Sequence, residues 1–153
     1  MQKFEAMKRN ILLWSALLCT SMLSAQQPWK LDLTAVGDSL TLRIDLYEES
    51  IPVPSMEMFG PMNGYMSGDI YRVWAVTSFE IIDDRTAKLR LSNDMGSETQ
   101  AATLSALSDS TYRLKFDGYN AVRRVAKGKK LVKAPSEFLM QKRVSHIRNV
   151  GRQ

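Results

Sequence analysis

The chain is poor in the residues that most often carry catalysis and covalent cross-links. Its 153 residues include one histidine, His146, and one cysteine, Cys19. His146 lies in the C-terminal tail, away from any predicted strand, and the Gly-x-Ser-x-Gly motif is absent, so a Ser-His-Asp hydrolase is not expected. If Cys19 is removed with the leader described below, disulfides and thiol catalysis are excluded too. We therefore predict that the protein is not an enzyme.

Phosphate and paired-carboxylate chemistry also lack their usual patterns. Lys127-Gly128-Lys129-Lys130 has no strand-to-helix context with spaced glycines, so it is not a phosphate-binding loop. Glu48-Glu49 and Asp83-Asp84 lie where turns are expected, which favours turn residues over a catalytic pair. No cofactor and no resident metal is predicted.

The N-terminal residues have the order of a secretory signal peptide. A basic head of two lysines and one arginine precedes an apolar run from Ile11 to Leu18, and small residues then lead to Ser24-Ala25. The apolar run is shorter than the roughly 20 residues that cross a bilayer. We expect removal of residues 1–25, which leaves about 128 residues, enough for one domain with a real core.

This leader predicts an exported protein, either periplasmic or extracellular. Cys19 follows Ala16-Leu17-Leu18, which is similar to a lipoprotein box. Leu18 stands where such a box requires a small residue, so a lipid-anchored form is not favoured.

Charge is divided between an acidic body and a basic C-terminal end. Residues 26–122 carry fourteen acidic and eight basic side chains, whereas residues 123–153 carry ten basic side chains and one acidic one. Such an end can bind an envelope protein or an anionic membrane surface, and Lys142, Arg143 and Arg148 are the candidate partner-binding residues. A solvated terminus that aids solubility is the alternative. Nucleic acid is not expected, because the compartment is wrong and aromatics are not interleaved with these bases.

Apolar and polar side chains alternate along most of the remaining chain, as they do in half-buried β-strands. Leu40, Leu42 and Ile44, for example, alternate with polar residues, and turn residues separate the segments at regular intervals. The predicted strands are residues 29–36, 40–46, 70–82, 86–92, 99–104, 111–116, 121–125 and 131–134. About eight strands without crossover helices predict an all-β fold, a single antiparallel up-and-down barrel over residues 26–134.

Two segments depart from this alternation. Residues 48–68 form a long connection rich in methionine, proline and glycine, and such loops are usually functional or mobile. Residues 135–153 are predicted to form a basic C-terminal helix or tail. Ser136 would cap the helix, and Met140, Val144 and Ile147 would share one stripe.

The opening hairpin consists of Pro28-Trp29-Lys30-Leu31-Asp32-Leu33 followed by Asp38-Ser39-Leu40-Thr41-Leu42-Arg43-Ile44. This hairpin, and more loosely residues 58–64, resembles calycin-like small secreted bacterial barrels, the group that includes lipocalins and fatty-acid-binding proteins. It implies a binding or accessory barrel, in which Trp29 would stack with Arg123 or Arg124 to close one end.

Methionines are concentrated in the long connection, together with aromatic residues. Met-x-Met offers two soft thioether ligands that select Cu(I). Methionine is also the adaptable apolar side chain of lids and binding surfaces, and it fills ordinary packed cores. Strand aromatics could line a cavity or fill a core. The candidate ligand-binding residues are Met56, Met58, Phe59, Met62, Tyr65, Met66 and Trp74.

Two functions therefore stay open at this point. The first is an exported, non-enzymatic barrel that holds a small apolar or amphipathic molecule under the methionine-rich loop. The second is an envelope interaction module, such as an inhibitor or complex subunit, that uses the loop and the basic tail.

Overall fold

The alternating segments pair with their neighbours around a closed barrel. The computed structural model describes residues 27–143. Eight strands form an antiparallel barrel in the order β1-β10-β7-β6-β5-β4-β3-β2, and β8 and β9 form a separate two-stranded sheet. The strands are β1 (Lys30–Ala35), β2 (Thr41–Asp45), β3 (Gly64–Ser67), β4 (Trp74–Ile81), β5 (Thr86–Asn93), β6 (Thr99–Ala106), β7 (Thr111–Asp117), β8 (Arg123–Val125), β9 (Leu131–Lys133) and β10 (Glu137–Lys142). The predicted all-β up-and-down barrel is confirmed.

In the part of the chain that the structure describes, helical structure is confined to two single 3-10 turns, Glu57–Phe59 and Lys127–Lys129. Within residues 27–143 no helix has the length and apolar character needed to cross a membrane.

Because the barrel strands run up and down in turn, the connections divide between two ends. The upper end carries the β1–β2, β3–β4 and β5–β6 turns and the long β7–β10 connection, which contains β8 and β9. The lower end carries Trp29, the β2–β3 connection, and the β4–β5 and β6–β7 turns.

The C-terminal segment is a strand, and the helix predicted from Pro135 is wrong within the described residues. β10 pairs with β7 through Phe138↔Leu114 and with β1 through Ala35↔Met140, so it closes the barrel. Phe138 and Met140 are buried while Leu139 and Gln141 are exposed, which is a period of two. Val144 and Ile147, which extended the helical pattern in the sequence, lie outside the described residues.

Other strand assignments also differ from the prediction. Residues 121–125 and 131–134, expected in the barrel, contribute β8 and β9 to the separate sheet. Their place in the barrel is taken by β10 and by β3, which lies inside the connection predicted to be a loop. Residues 70–73, predicted as strand, form the turn before β4.

The barrel interior is filled by its own side chains. Leucines of five strands and two methionines have less than 2% of their surface exposed, and Trp29 and Trp74 are similarly buried. The fully buried side chains include Leu33, Leu40, Leu42, Met66, Leu91, Leu104, Leu114 and Met140. A cavity wide enough for water would leave such side chains accessible to a water-sized sphere, so these residues enclose a packed core.

Trp29 closes the lower end of the barrel, and no arginine among residues 27–143 stacks on it. Its indole Nε1 donates to the carbonyl of Asp83 at 3.1 Å, which joins the start of β1 to the β4–β5 turn. Arg123 and Arg124 lie at the upper end, where they stack on Tyr119 and Phe138. The expected stacking of Trp29 with either arginine is therefore wrong, because the β7–β10 connection begins at the end opposite Trp29.

Candidate functional site

The methionine-rich loop, residues 48–63, leaves the lower end and packs on the outside of the barrel wall. Trp74 and Val76 of β4 belong to the core, so Ala75 between them faces outward. Ala75 is fully buried in a second apolar cluster with Val53 and Met56 of the loop. The loop is therefore an outer layer on the sheet.

Asp45 and Asn63 hold the two ends of this loop together. The Asp45 carboxylate accepts hydrogen bonds from Tyr47 N at 3.1 Å, Glu48 N at 3.2 Å and Ser50 Oγ at 3.1 Å. Asp45 N donates to Asn63 O at 2.7 Å, and Asn63 Nδ2 donates to Asp45 O at 3.0 Å. Both ends of the loop are thereby fixed to the same residue of β2.

The same contacts set the ionisation of Asp45. Burial acts to raise its pKa, but the hydrogen bonds from Tyr47, Ser50 and Glu48 and the charge of Lys30 outweigh burial and lower the pKa below its ordinary value. The carboxylate is thus the form that the fold stabilises.

Further along the loop, two reciprocal backbone hydrogen bonds join its outgoing and returning segments. Ile51 N donates to Met62 O at 3.0 Å, and Met62 N donates to Ile51 O at 2.8 Å. Residues 52–61 therefore leave and return to the same point of the loop, and this segment is here called the excursion. Within it Met56 is buried, whereas Met58 and Phe59 are exposed.

Between this excursion and the upper part of the β4–β5 wall lies an open groove of about 450 Å³, here called the outer groove. Met56, Phe59 and Met62 contribute its loop side, and Met95 of the β5–β6 turn lies across from them. The polar residues at the groove are Glu49, Asn63, Thr77, Ser92, Asn93 and Asp94. A groove lined by both apolar and polar side chains suits an amphipathic molecule.

Beside the outer groove, the wall of the barrel has an unpaired edge. β3 and β4 pair only at Tyr65↔Ala75 and Met66↔Trp74. Below these pairs, β4 bonds only to β5 among the described residues, and the register between them shifts between Val76 and Ser78. The backbone from Val76 to Ile81 therefore presents one free side.

Two apolar side chains accompany this free edge. Phe79 and Ile81 pair with Leu89 and Ala87, which belong to the core, so they lie on the inner face of the sheet. They are nevertheless 38% and 40% exposed, because no strand continues alongside them.

The predicted ligand-binding residues fall into three groups. Met56, Phe59 and Met62 line the outer groove. Met58 is 87% exposed and does not line it, and Tyr65 is half-buried in the apolar cluster beneath the loop. The remaining two, Met66 and Trp74, are core residues of the barrel.

The predicted partner-binding residues lie at the lower end as far as the structure describes them. The ammonium of Lys142 lies 5.8 Å from the centre of the Tyr112 ring. Arg143 is exposed, and its backbone N donates to Asp32 O at 2.8 Å. Arg148 lies outside the described residues.

Sequence reasoning missed Met95 and the wall residues of the outer groove. Met95 stands in Asn93-Asp94-Met95-Gly96, which reads as an ordinary turn, although an apolar side chain in a turn of polar residues is a signal. Among residues 27–143, no cluster of three or more His, Cys, Asp or Glu side chains could hold a metal ion.

The closed eight-stranded up-and-down barrel is consistent with a calycin-like fold. Comparison of the chain with family models, curated proteins and solved structures gives no match.

Proposed function

We propose that this protein is a non-enzymatic binding barrel that holds a small apolar or amphipathic molecule in the outer groove, beneath the methionine-rich loop. The observation that carries the proposal is the groove itself, which is lined by thioether and aromatic side chains together with polar ones. Its volume of about 450 Å³ lies in the range of about 300 to 1,000 Å³ that is usual for small-molecule sites.

The filled interior supports a ligand site outside the barrel. In a hollow barrel the ligand would replace water inside the sheet, but Leu42, Leu104 and Met140 already occupy that space with no exposed surface. Ligand binding therefore uses the outer face, where Phe59 and Met95 are each more than 60% exposed before the ligand arrives. Covering them supplies the apolar part of the binding free energy.

Charge at the groove favours a neutral or cationic head group. Glu49 and Asp94 border the groove, and Arg72 pairs with Asp94 at 3.9 Å. Glu49 forms no ion pair with another described residue. An anionic head group would be placed beside this carboxylate, which costs binding free energy.

Titration with dodecyldimethylamine oxide, below its micelle concentration, tests the site by calorimetry. Phe59→Ser and Met95→Ser should each weaken binding about three- to tenfold, because each removes part of the apolar lining. Met58→Ser is the matched control: it also shortens an exposed apolar side chain of the same loop, but one that does not line the groove. Equal effects of all three substitutions, or no binding by the parent protein, would refute the proposal.

The second candidate function is an envelope interaction module, and the unpaired edge of β4 favours it. An extended segment of a partner protein can add a strand to the free backbone between Val76 and Ile81. Phe79 and Ile81 would then be covered by the added strand. In this function the exposed loop residues and the basic C-terminal residues provide further contacts.

Native mass spectrometry of the protein, purified from its own compartment, separates the two candidates. A co-purified small molecule supports the first, and a co-purified protein supports the second. Phe79→Lys with Ile81→Lys should abolish capture of a protein partner and leave binding of the amine oxide unchanged, because neither residue lines the outer groove.

Export and family membership complete the proposal. The order of residues 1–25 supports a periplasmic or extracellular location, and the barrel topology supports a calycin-like ancestry. Mass spectrometry of the N-terminal peptide, on protein isolated from each cell fraction, tests the location. A chain that starts near Gln26 outside the cytoplasm supports export, and a full-length chain in the cytoplasm refutes it.

A further inference from the structure

The β7–β10 connection carries a basic hairpin that the proposed function does not use. The hairpin consists of β8, β9 and the turn between them, residues 123–133. It forms a sheet separate from the barrel, in which Arg123 pairs with Lys133, Arg124 with Val132 and Val125 with Leu131. Tyr71 N of the β3–β4 turn also donates to Arg123 O at 2.6 Å. From Asp117 to Glu137 the chain contains no other acidic residue.

The foot of the hairpin is fixed to the barrel, so its orientation is set by the fold. Ala121, Val122 and Ala134 flank it and belong to the barrel core. Buried Asn120 donates through Nδ2 to Ala134 O at 2.8 Å and accepts from Val122 N at 3.0 Å. The two strands are thus joined below the hairpin by one side chain.

The two faces of the hairpin have different surroundings. Arg124, on one face, pairs with Asp38 of the β1–β2 turn and stacks on Phe138 of β10, so this face lies toward the barrel. Residues directly opposite in an antiparallel pair share a face, which places Arg123, Val125, Leu131 and Lys133 together on the other face. Val125 and Leu131 are 49% and 44% exposed.

The lysines of the hairpin keep their charge available. Arg124 is paired with Asp38, and the Arg123 guanidinium donates to the carbonyls of Asn120 and Val122 and to the Tyr119 hydroxyl. By contrast, the four lysines are exposed and form no ion pair with any residue in the described part of the chain. These lysines are Lys127, Lys129, Lys130 and Lys133.

We propose that the basic hairpin docks this protein on an anionic phospholipid surface. Lysines beside exposed Val125 and Leu131, with the amphipathic ring of Tyr119 at the foot, match a bilayer interface that offers negative head groups above an apolar layer. A soluble polyanion would satisfy the lysines alone and leave Val125 and Leu131 in water, so the apolar pair selects the membrane. This proposal stands independently of the outer groove.

Sedimentation with vesicles tests the docking. The mature chain, which begins near Gln26 and therefore lacks the apolar leader and Cys19, is mixed with vesicles of phosphatidylcholine containing 30% phosphatidylglycerol or of phosphatidylcholine alone. We expect binding to the anionic vesicles that weakens as salt is raised, and little binding to the neutral ones. One lysine at an anionic surface raises the membrane-binding affinity about fivefold. Lys129→Gln with Lys130→Gln should therefore weaken vesicle binding at least tenfold.

Matched controls separate the hairpin from net charge and general hydrophobicity. Lys88→Gln with Lys115→Gln removes the same charge from exposed positions of β5 and β7 and should change binding less than threefold. Val125→Ser with Leu131→Ser should weaken binding about tenfold, whereas Ile82→Ser with Leu107→Ser, which alters equally exposed side chains at the lower end, should not. Equal losses in the lysine pairs, or binding to heparin without binding to vesicles, would overturn the proposal.

Discussion

The side chain of Gln100 on β6 accepts a hydrogen bond from the backbone N of Ala121 at 2.8 Å, inside the barrel and 21 residues along the chain. Its Nε2 donates to the carbonyls of Ala101 at 2.8 Å and Asp117 at 3.2 Å. Gln100 is 1% exposed, and these three bonds satisfy its amide. The buried Gln100 amide thus adds to the contacts of Asn120 and Arg124 that fix the β7–β10 connection, and with it the basic hairpin, to the barrel.

Substitution of Gln100 by Leu is expected to lower the free energy of unfolding by about 2 to 3 kcal/mol, because buried backbone groups lose their partners. Gln141→Leu, at an exposed position of β10, should change it by less than about 0.5 kcal/mol. Urea unfolding of the two variants measures the difference, and similar values for both would show that the buried amide does not stabilise the connection.

Gly64 and Gly68 are expected to be the least replaceable glycines of the described chain. A Cβ at Gly64 would overlap Arg43 O of β2, a Cβ at Gly68 would overlap Ser39 O of the β1–β2 turn, and both glycines have positive φ. Gly64→Ala should therefore cost about 3 kcal/mol or more. Gly96 also has positive φ but open space at its Cβ, so Gly96→Ala should cost only about 1 to 2 kcal/mol. Thermal unfolding of the two variants measures the gap, and equal losses would contradict the close approach of β3 to β2.

Asp45 should make the stability of the fold depend on acid. Its pKa is lowered in the folded state from an ordinary value of 3.8, so the stabilisation is fully present above that value and is lost as pH falls through the folded pKa. Asp45→Asn should cost about 1 to 3 kcal/mol at pH 7, since it weakens charge-assisted bonds to Tyr47, Glu48 and Ser50.

The difference in unfolding free energy between the parent and Asp45→Asn should shrink as pH is lowered from 5 to 3. Asp69→Asn, in the exposed upper turn, controls for removal of a charge alone. A difference that stays constant over this pH interval would show that the lowered pKa does not stabilise the loop anchor.

The cost in stability of replacing a methionine should depend on whether that methionine is buried. Met66→Ala removes a fully buried core side chain and should cost about 2 to 5 kcal/mol. Met58→Ala removes a side chain that is 87% exposed and should cost less than about 0.5 kcal/mol. Chemical unfolding compares them, and a large loss for Met58→Ala would place that residue in a packed environment.

Much of the barrel could be predicted because its strands keep a strict alternation of two. Leu40, Leu42 and Ile44 can be buried together only on one face of an extended strand. A slip of one residue would expose all three, so their burial sets the register of β1 with β2. β3 could not be predicted, since Gly64 and Gly68 mark a turn in sequence but here permit close strand contact.

The C-terminal strand shows the limit of periodicity in a short segment. In the sequence, Met140 fits a helical stripe with Val144 and Ile147, and it also fits an alternating strand with Phe138. The strand forms because the barrel needs one between β7 and β1 to close. The outer groove was only half predictable for a similar reason. Met95 lines the same groove as Met56 and Phe59 because the loop packs over the sheet, which no local pattern encodes.

Methyl NMR of the methionines, with dodecyldimethylamine oxide as the added probe, tests most directly whether ligands bind outside a filled barrel. Met56 and Met62 line the outer groove, whereas Met66 and Met140 lie inside the core. We predict that the probe shifts the methyl signals of Met56 and Met62 and leaves those of Met66 and Met140 in place. Shifts at Met66 and Met140 without shifts at Met56 and Met62 would contradict this account, because the probe would then have entered the barrel.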